Sequence, residues 1–390
     1  MAAVEGRALP GRRLRVMVVG DHLGYPGGVL HGVTTYYLDV LPALAAAGVE
    51  LTVCFLREPH QASESLRGHG ISVLFLSAAR GNPLVALQLA AIARRQQCSI
   101  LHAAGIKATL MARLATRLVP ARTILHVHDL IYPGSAVGLL HRMFARKSDM
   151  AVAVSQAAAT VAIEGYHVSR DRVRVVPNGI RLERFKDRDS VPGGKSALRA
   201  SLGIDASTRV LGLIGRMYPI KGHRALLRMM PKIIQGCPEV LLLLAGDGPE
   251  REPCERLVQD LRIQRNVRFL GQLNDVRDVL AACDVVVVPS ESEGLSLAAI
   301  EAMAMSRPVV AFDSGGIKDV IDDGVTGSLV SAGNVDAFAG AVLSLLLDCE
   351  KCAALGANAA RAAERFSLEG HVQRMLACYR ELDARPGSAK

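Results

Sequence analysis

Two glutamates, Glu293 and Glu301, lie eight positions apart where an apolar run gives way to a polar loop and then to a helical pattern. Eight helical positions turn roughly 80° beyond two full turns and rise about 12 Å. Carboxylates that cleave a glycosidic bond as acid and nucleophile lie only about 5–5.5 Å apart. The pair is therefore badly spaced for a hydrolase. It is well spaced to hold two ends of one elongated ligand, such as a sugar nucleotide.

The stretch between the two glutamates offers an anion site. The backbone amides of Gly294, Leu295 and Ser296 open the predicted helix, and a helix N-terminus is a ready site for an anion. An acid favoured by the helix dipole, followed by a solvated glutamate, would explain the same residues without a ligand. The spacing alone leaves both interpretations open.

A pair of cations follows another apolar run. The predicted strand 210–214 leads into a loop that contains Pro219, and Arg216 and Lys221 lie five positions apart in it. Two cations at a strand end can converge on a diphosphate and stabilise the charge on a departing nucleoside diphosphate without a metal ion. Solvated surface cations are the alternative.

Two weaker candidates lie in the first half of the chain. His128 follows the predicted strand 123–127, where a histidine can transfer protons or contact a substrate. His126 would point to the same face, so the pattern does not separate the two. Gly27 and Gly28 precede a helix after the first strand, and paired glycines let the backbone approach a phosphate. A simple turn would need the same glycines.

Two parallel sheets are needed to position these residues. Apolar runs alternate with helical periodicity in both halves of the chain, which predicts an α/β protein with two Rossmann-like, doubly wound domains facing a central cleft. A polar linker at 181–195 separates the halves. The predicted strands are 14–20, 50–56, 71–76, 99–103, 123–127, 150–154 and 173–176, then 209–214, 240–245, 267–270, 285–288 and 308–311. The predicted helices include 32–46, 84–97, 106–118, 137–146, 335–347, 351–365 and 368–382.

Composition excludes several classes of protein. A chain of 390 residues is longer than a single hydrophobic core usually accommodates, which predicts two domains. No apolar run approaches the roughly 18 residues that span a bilayer, and the basic N-terminus leads into a strand without a signal-peptide core, so we expect a cytoplasmic protein. The eight cysteines are scattered, and the close pair Cys349 and Cys352 lacks a second pair, which favours structural thiols over a metal site. The absence of Gly-x-Gly-x-x-Gly after the first strand argues against a nicotinamide or flavin dehydrogenase.

The positive charge is confined to one half of the chain. Residues 1–189 contain 23 Lys and Arg against 13 Asp and Glu, whereas the remainder contains 23 against 24. Clusters at 94/95, 113/117 and 142/146/147 predict a basic surface suited to acidic lipid headgroups or nucleic acid. With no Trp and 4% aromatic residues, stacking on nucleic-acid bases is disfavoured. An anionic membrane surface is the favoured partner, and an ordinary solvated face stays open.

Taken together, the motifs form an ordered set that resembles the family 4 retaining glycosyltransferases from about residue 14 to 383. The set comprises Gly27-Gly28, His128-Asp129-Leu130, Val176-Pro177-Asn178-Gly179-Ile180, Gly215-Arg216 with Lys221-Gly222, Ala245-Gly246-Asp247-Gly248-Pro249-Glu250, and Glu293 with Glu301. The resemblance implies the GT-B fold. It places an acceptor domain at 1–183, a donor domain at 196–366, and a final helix within 367–390 that crosses back to the first domain.

The resemblance also implies roles for the candidate residues. Arg216 and Lys221 would grip the donor diphosphate, aided by the glycine loop, while Glu293 would hold sugar hydroxyls and Glu301 the ribose hydroxyls. His128 would lie near the reacting sugar and the acceptor. No metal and no separate cofactor would be needed.

The implied reaction moves a hexose-type sugar from a UDP- or GDP-linked donor to an acceptor hydroxyl, with retained configuration. The basic first half favours a lipid-linked or cell-envelope acceptor and peripheral attachment at the inner face of a membrane. Arg181 stands where the family often has Asp, and Asp319 stands where it often has Glu. Both differences affect the expected nucleotide contacts. A sugar-nucleotide epimerase, a non-catalytic sugar-nucleotide-binding protein and, less favoured, a nucleic-acid-binding protein are the alternatives.

Overall fold

The structure is a computed structural model that describes residues 13–24, 32–76, 82, 84–145, 148–186, 194–273 and 275–385. The chain divides into a first unit, Met1–Gly179 with Leu368–Lys390, and a second unit, Ile180–Ser367. The division falls close to the predicted linker, and the last helix belongs to the first unit. None of the helices in the described ranges is long and apolar enough to cross a membrane.

The first unit is built on a parallel sheet of seven strands in the order β3-β2-β1-β4-β5-β6-β7. The strands are β1 (Arg15–Gly20), β2 (Glu50–Phe55), β3 (Ser72–Phe75), β4 (Ile100–Ala104), β5 (Arg122–Val127), β6 (Met150–Ala153) and β7 (Val173–Val175). The helices are α1 (Gly32–Ala46), α2 (Ser63–Gly68), α3 (Leu84–Arg95), α4 (Ile106–Ala115), α5 (Ser135–Met143), α6 (Gln156–Glu164) and, from the end of the chain, α15 (Leu368–Asp383). All seven predicted strands are confirmed, with ends within one residue.

The second unit repeats the architecture with six parallel strands in the order β10-β9-β8-β11-β12-β13. The strands are β8 (Arg209–Ile214), β9 (Val240–Ala245), β10 (Val267–Gly271), β11 (Val285–Val288), β12 (Val309–Asp313) and β13 (Gly327–Ser331). The helices are α7 (Glu183–Lys186), α8 (Gly194–Ser201), α9 (His223–Gly236), α10 (Arg251–Asp260), α11 (Arg277–Ala282), α12 (Leu297–Ala304), α13 (Val335–Leu347) and α14 (Cys349–Ala363). The predictions missed β13, because Gly-Ser-Leu-Val-Ser lacks a continuous apolar run.

Burial explains why the central strands read as apolar runs. Every residue of β4 and of β9 is buried, because helices cover both faces of a doubly wound parallel sheet. In the first unit α1 and α15 share one side, and their apolar residues enter the same core. Two of the buried histidines of this unit, His102 of β4 and His126 of β5, lie on strands of the sheet.

One predicted surface cation lies in the core instead. Arg113 of α4 is fully buried. Its guanidinium donates to Ser148 Oγ at 2.7 Å, to the His141 carbonyl at 3.0 Å and to the Tyr166 carbonyl at 2.8 Å. Burial lowers the pKa of Arg113 to about 10. The prediction that Arg113 contributes to a basic surface was therefore wrong, because three neighbouring segments supply acceptors that satisfy it inside the fold.

Candidate active site

An ion pair lies at the carboxyl edge of the second sheet. Lys221 follows β8, Glu293 follows the neighbouring strand β11, and the Lys221 ammonium donates to both carboxylate oxygens at 2.8 and 3.0 Å. The Glu293 side chain is 9% exposed and that of Lys221 is 28% exposed. A carboxylate this buried needs a charged partner, so the structure brings together two of the predicted site residues.

The loop after β8 is fixed by one glycine. Gly222 has a φ of 73°, and a Cβ atom there would lie 2.0 Å from the Pro289 carbonyl oxygen. No other residue type fits that close approach and that dihedral angle. The amide of Glu291 donates to the carbonyl of Ile220 at 2.9 Å. The loops after β8 and β11 are therefore joined by backbone contacts, which hold Lys221 against Glu293.

The loop after β12 holds Glu293 from the other side. The amide of Gly316 donates to the Glu293 carbonyl at 2.7 Å, and Ser314 Oγ donates to the Ser290 carbonyl at 2.7 Å. Ser290 and Ser314 are both buried. The sequence analysis named only Asp319 from this segment and gave its Gly-Gly pair no role, although such a pair after a buried strand is a recognisable signal.

Arg216 lies in the same loop as Lys221. It is half-buried, and its guanidinium lies 4.6 Å from the centre of the Tyr218 ring, a cation–π contact. The loop after β9 supports this segment. Cβ atoms on Gly246 and Gly248 would lie 1.9 Å from the carbonyl oxygen of Gly215 and 2.5 Å from that of Met217. These glycines let two backbones pack together behind Arg216.

A helix follows Glu293 as predicted, but it begins at Leu297, so Gly294, Leu295 and Ser296 precede its first turn instead of forming it. Ser296 is the N-cap of α12, and its Oγ accepts a hydrogen bond from the Ala299 amide at 3.4 Å. Gly294 and Leu295 precede the cap in the loop that carries Glu293. Glu301 is half-buried inside α12. One loop and one short helix therefore carry both glutamates, as the sequence predicted.

A histidine beside Lys221 was missed by the sequence analysis. His223 is the first residue of α9 and is 2% exposed. Burial, and then the charge of Lys221, lower the pKa of His223 to about 4. Its ring is therefore neutral near neutral pH and adds no charge to the cations of this loop. Its position directly after Lys221-Gly222 is the only sequence signal that could have found it.

In the first unit, His128 follows β5 and packs against other rings. Its ring centre lies 3.9 Å from that of His126 and 4.7 Å from that of Tyr36. The predicted common face of His126 and His128 is consistent with this contact. Gly27 and Gly28 lie outside the described residues.

The loop after β1 is held by a buried acid. Asp21 Oδ1 accepts a hydrogen bond from the Ala108 amide at 2.6 Å, at the start of α4. Burial raises the pKa of Asp21, although its hydrogen bonds to Ala108 and Lys107 oppose the shift. Gly105, with a φ of 104°, leaves room for this carboxylate, because a Cβ atom there would lie 2.6 Å from Asp21 Oδ2.

His128 belongs to a cluster of six rings, here called the histidine cluster. Its members come from α1, β4, β5 with its following loop, and α15: Tyr36, His102, His126, His128, His371 and Tyr379. Burial lowers the pKa of His102 to about 3 and that of His371 to about 4, and it lowers the pKa of His126 well below its usual range. Burial also raises the pKa values of Tyr36 and Tyr379. His102, His126 and His371 are therefore neutral near neutral pH.

The four charged candidates lie in the second unit and His128 lies in the first. The predicted cleft between the two domains stays a prediction. Within the described ranges, no group of three or more His, Cys, Asp or Glu is arranged to hold a metal ion.

Two Rossmann-like units, with cations and acids on the strand-end loops of the second, define the GT-B class of glycosyltransferase folds. A family model described as Glycosyltransferase Family 4 matches residues 30–184. A second model, described as Glycosyl transferases group 1, matches residues 208–348. The chain belongs to the family 4 glycosyltransferases.

Curated relatives are identical to this chain at about a third of the aligned positions. The D-inositol 3-phosphate glycosyltransferase of Corynebacterium urealyticum is 32% identical over 251 residues, which cover 61% of this chain and 58% of the relative. That of Rhodococcus erythropolis is 36% identical over 244 residues, covering 60% and 54%. The chain thus spans little more than half the length of these relatives.

Solved structures resemble almost the whole chain. A glycosyltransferase from Rickettsia africae superposes with a TM-score of 0.85 at 19% identity, covering 96% of this chain and 100% of that one. Anabaena HepE in complex with UDP superposes with a TM-score of 0.80 at 25% identity, covering 94% and 99%. The GT-B fold predicted from the sequence is therefore confirmed.

Proposed function

We propose that the protein transfers a hexose-type sugar from a nucleoside diphosphate to an acceptor hydroxyl. The observation that carries the proposal is the Lys221–Glu293 ion pair at the carboxyl edge of the second sheet, with Arg216 in the same loop. This edge is where open α/β sheets bind ligands. Anabaena HepE has been crystallised with UDP and with UDP-glucose, which favours a uridine-linked donor over a guanosine-linked one.

The side chains divide the donor between them. Arg216 and Lys221 would neutralise the diphosphate, and their charge stabilises the leaving group most when its bond to the sugar breaks. Glu293 would accept hydrogen bonds from sugar hydroxyls, and Glu301 from the ribose. The loop over Gly27 and Gly28, together with the segment Gly294, Leu295 and Ser296, would add backbone donors to the phosphates.

The reaction would proceed with retention and without a metal ion. The bond from the anomeric carbon to the phosphate oxygen breaks, and the acceptor oxygen bonds to the same face of the sugar. The acceptor's proton passes to the departing phosphate oxygen, so that the step needs no side-chain nucleophile. His128 would contact the reacting sugar. The cations supply the charge stabilisation that a bound metal ion provides in other sites.

An anionic membrane surface is the proposed second partner. Helix α5 exposes Leu139, Leu140 and Met143, and Arg142 is exposed between them. The sequence from 130 to 148 contains no Asp or Glu. Apolar side chains beside cations are typical of surfaces that rest in the headgroup region. This face supports a lipid-linked or cell-envelope acceptor and peripheral attachment of a cytoplasmic protein.

Sedimentation with vesicles tests the membrane proposal. The protein should pellet with vesicles that contain phosphatidylglycerol and stay in solution with pure phosphatidylcholine, and added salt should weaken the binding. The variant Leu139→Ser/Met143→Ser should pellet less than the wild type. Equal pelleting with both vesicle types, or no pelleting, would contradict the proposal.

A donor screen followed by a transfer assay tests the enzyme proposal. One nucleoside diphosphate sugar should raise the melting temperature, because a ligand at 100 times its Kd adds about 2.7 kcal/mol of stability. With an acceptor hydroxyl present, a glycoside should form in chelator-treated buffer, and its anomeric proton should show retained configuration. A sugar-nucleotide epimerase would instead release an epimer without acceptor, and a non-catalytic binder would show the thermal shift alone.

A further inference from the structure

A line of three hydrogen-bonding groups runs through the core of the first unit toward His128. The Tyr379 hydroxyl lies 2.7 Å from His102 Nδ1, and His102 Nε2 lies 3.0 Å from His126 Nδ1. All three side chains are buried. The line begins on α15, crosses β4 and ends on β5, where the His126 ring packs against that of His128 at 3.9 Å.

The open end of the line is His126 Nε2. This atom is buried and has no hydrogen-bond partner in the part of the chain that the structure describes. His126 itself is 2% exposed. A buried polar atom without a partner costs free energy, so its presence beside a candidate substrate residue needs a functional explanation.

The hydrogen-bond balance decides which atom of His126 carries the hydrogen. If the Tyr379 hydroxyl donates to His102 Nδ1, then His102 Nε2–H donates to His126 Nδ1, and His126 carries its hydrogen on Nε2. In the reverse arrangement the Tyr379 hydrogen and the His126 Nε2 lone pair would both lack a partner. The first arrangement leaves fewer buried groups unsatisfied. Burial keeps both histidines neutral, since it lowers the pKa of His102 to about 3.

The other arm of the histidine cluster has no open end. His371 Nδ1 donates to the Pro177 carbonyl at 2.8 Å, so its Nε2 accepts from the Tyr36 hydroxyl at 3.2 Å. This arm also contains a buried tyrosine hydroxyl and also reaches α15. The Tyr36 ring packs against His126 and His128, but its hydroxyl bonds to His371 and not to His126. Tyr36→Phe keeps the ring and removes only that hydroxyl, so it supplies a matched control.

We propose that His126 is a positioning residue for His128, and that the Tyr379–His102 line fixes its hydrogen on Nε2. The neutral ring of His126, held in one tautomer, would present a fixed N–H dipole beside His128. Reversal of the tautomer would replace that donor by a lone pair. The C-terminal helix α15 would thereby set the electrostatics beside His128 through a single hydroxyl. The inference rests on the proposed contact of His128 with the reacting sugar.

The test compares Tyr379→Phe with Tyr36→Phe in the full chain. Each variant removes one buried hydroxyl and keeps its ring, so both should fold with a similar loss of stability. The eleven histidines are labelled with ¹⁵N, and the resonances of His126 and His128 are assigned from single substitutions. In Tyr379→Phe the His126 ring nitrogens should shift toward a mixture of tautomers, and the His128 ring resonances should move with them. In Tyr36→Phe the His126 tautomer should stay as in the wild type.

Turnover provides the second reading. In Tyr379→Phe, kcat should fall roughly tenfold. This is the lower end of the range known for residues that orient a metal-binding side chain through a hydrogen bond. The KM for the donor should stay unchanged, because none of the proposed nucleotide contacts, whether in the second unit or at Gly27 and Gly28, involves Tyr379. Unchanged ¹⁵N spectra, or equal losses of kcat in both variants, would overturn the inference. If the wild type transfers no sugar, the proposed function fails, whereas the ¹⁵N comparison still decides whether Tyr379 controls the surroundings of His128.

Discussion

The two units use the same architecture and place opposite chemistry at the carboxyl edges of their sheets. In the second unit the edge carries Arg216 and the Lys221–Glu293 ion pair, with Lys221 partly exposed to solvent. In the first unit, Asp21 follows β1 and His128 follows β5 at this edge, and behind His128 lies the histidine cluster, whose buried histidines are neutral near neutral pH. The second unit thus presents paired charges, whereas the buried histidines of the first unit present uncharged hydrogen-bonding groups.

Burial explains this difference. A carboxylate and an ammonium that remain near solvent keep their charges when they pair, because each compensates the desolvation of the other. Imidazoles that are completely enclosed lose the charged form instead, because no counter-charge is buried with them. His223 shows the second behaviour inside the second unit, where burial and Lys221 lower its pKa to about 4. The chemistry of each edge is therefore set by how deeply its titratable groups are enclosed.

Acidification should destabilise the first unit at a higher pH than the second, and this is the largest effect that we expect. The first unit buries His102, His126, His141 and His371 with lowered pKa values; the second buries His223. The unfolded chain binds protons at these histidines below about pH 6.5 while the folded chain does not, so stability falls as the pH drops toward about 4. Each such histidine contributes at most about 1.4 kcal/mol per pH unit.

Hydrogen exchange followed by mass spectrometry can resolve the two units. After correction for the intrinsic exchange rate, peptides from β4 and β5 should lose protection at a higher pH than peptides from β8 and β9. Asp21 titrates with the opposite sign, because burial raises its pKa, and it reduces the net slope. Simultaneous loss of protection in both units would contradict the comparison.

The regular elements and the charged edge were largely predictable from the sequence. Buried parallel strands form continuous apolar runs, so the ends of β8, β9 and β11 agree with the prediction. Strand ends then located Arg216, Lys221, Glu293 and Glu301. The short strand β13 was missed because an edge strand needs less apolar sequence.

The histidine cluster of the first unit was much less predictable from the sequence. The histidine cluster joins residues as far apart as Tyr36 and His371, separated by 335 positions, and only the packing of α15 beside α1 brings them together. Arg113 shows the same limit, because its burial depends on acceptors from three segments. Local patterns predict which residues end a strand, but they do not predict which distant side chains meet.

Removal of Lys221 tests the ion pair of the second unit without changing the histidine cluster of the first. Lys221→Ala leaves the buried Glu293 carboxylate without its ammonium, which should lower stability by up to about 3 kcal/mol, the low end for a broken buried pair because Lys221 is partly exposed. Turnover should fall roughly 10²–10³-fold, as for other lost donors to a developing anion. Urea unfolding and the transfer assay measure the two effects.

Two variants control this experiment. Lys221→Met combined with Glu293→Gln removes both charges and should recover most of the stability but none of the turnover. Lys318→Ala breaks an exposed pair with Asp313 and should change stability by less than about 1 kcal/mol. If Lys221→Ala transfers sugar at close to the wild-type rate, the proposed role of Lys221 in binding the donor diphosphate is wrong.

The smallest expected effect compares one glycine from each edge. Gly105 and Gly222 both have positive φ, at 104° and 73°, so alanine at either position should cost about 1–3 kcal/mol of strain. A Cβ atom at Gly105 would meet the Asp21 side chain, whereas a Cβ atom at Gly222 would meet the Pro289 backbone. A side chain can rotate away and a backbone cannot, so Gly222→Ala should be the more destabilising.

Gly340→Ala is the control, because nothing obstructs a Cβ in α13 and alanine should stabilise the helix by about 0.5–1 kcal/mol. Equal losses in Gly105→Ala and Gly222→Ala, measured by urea unfolding, would show that the Pro289 backbone contact adds no strain beyond that of the positive φ.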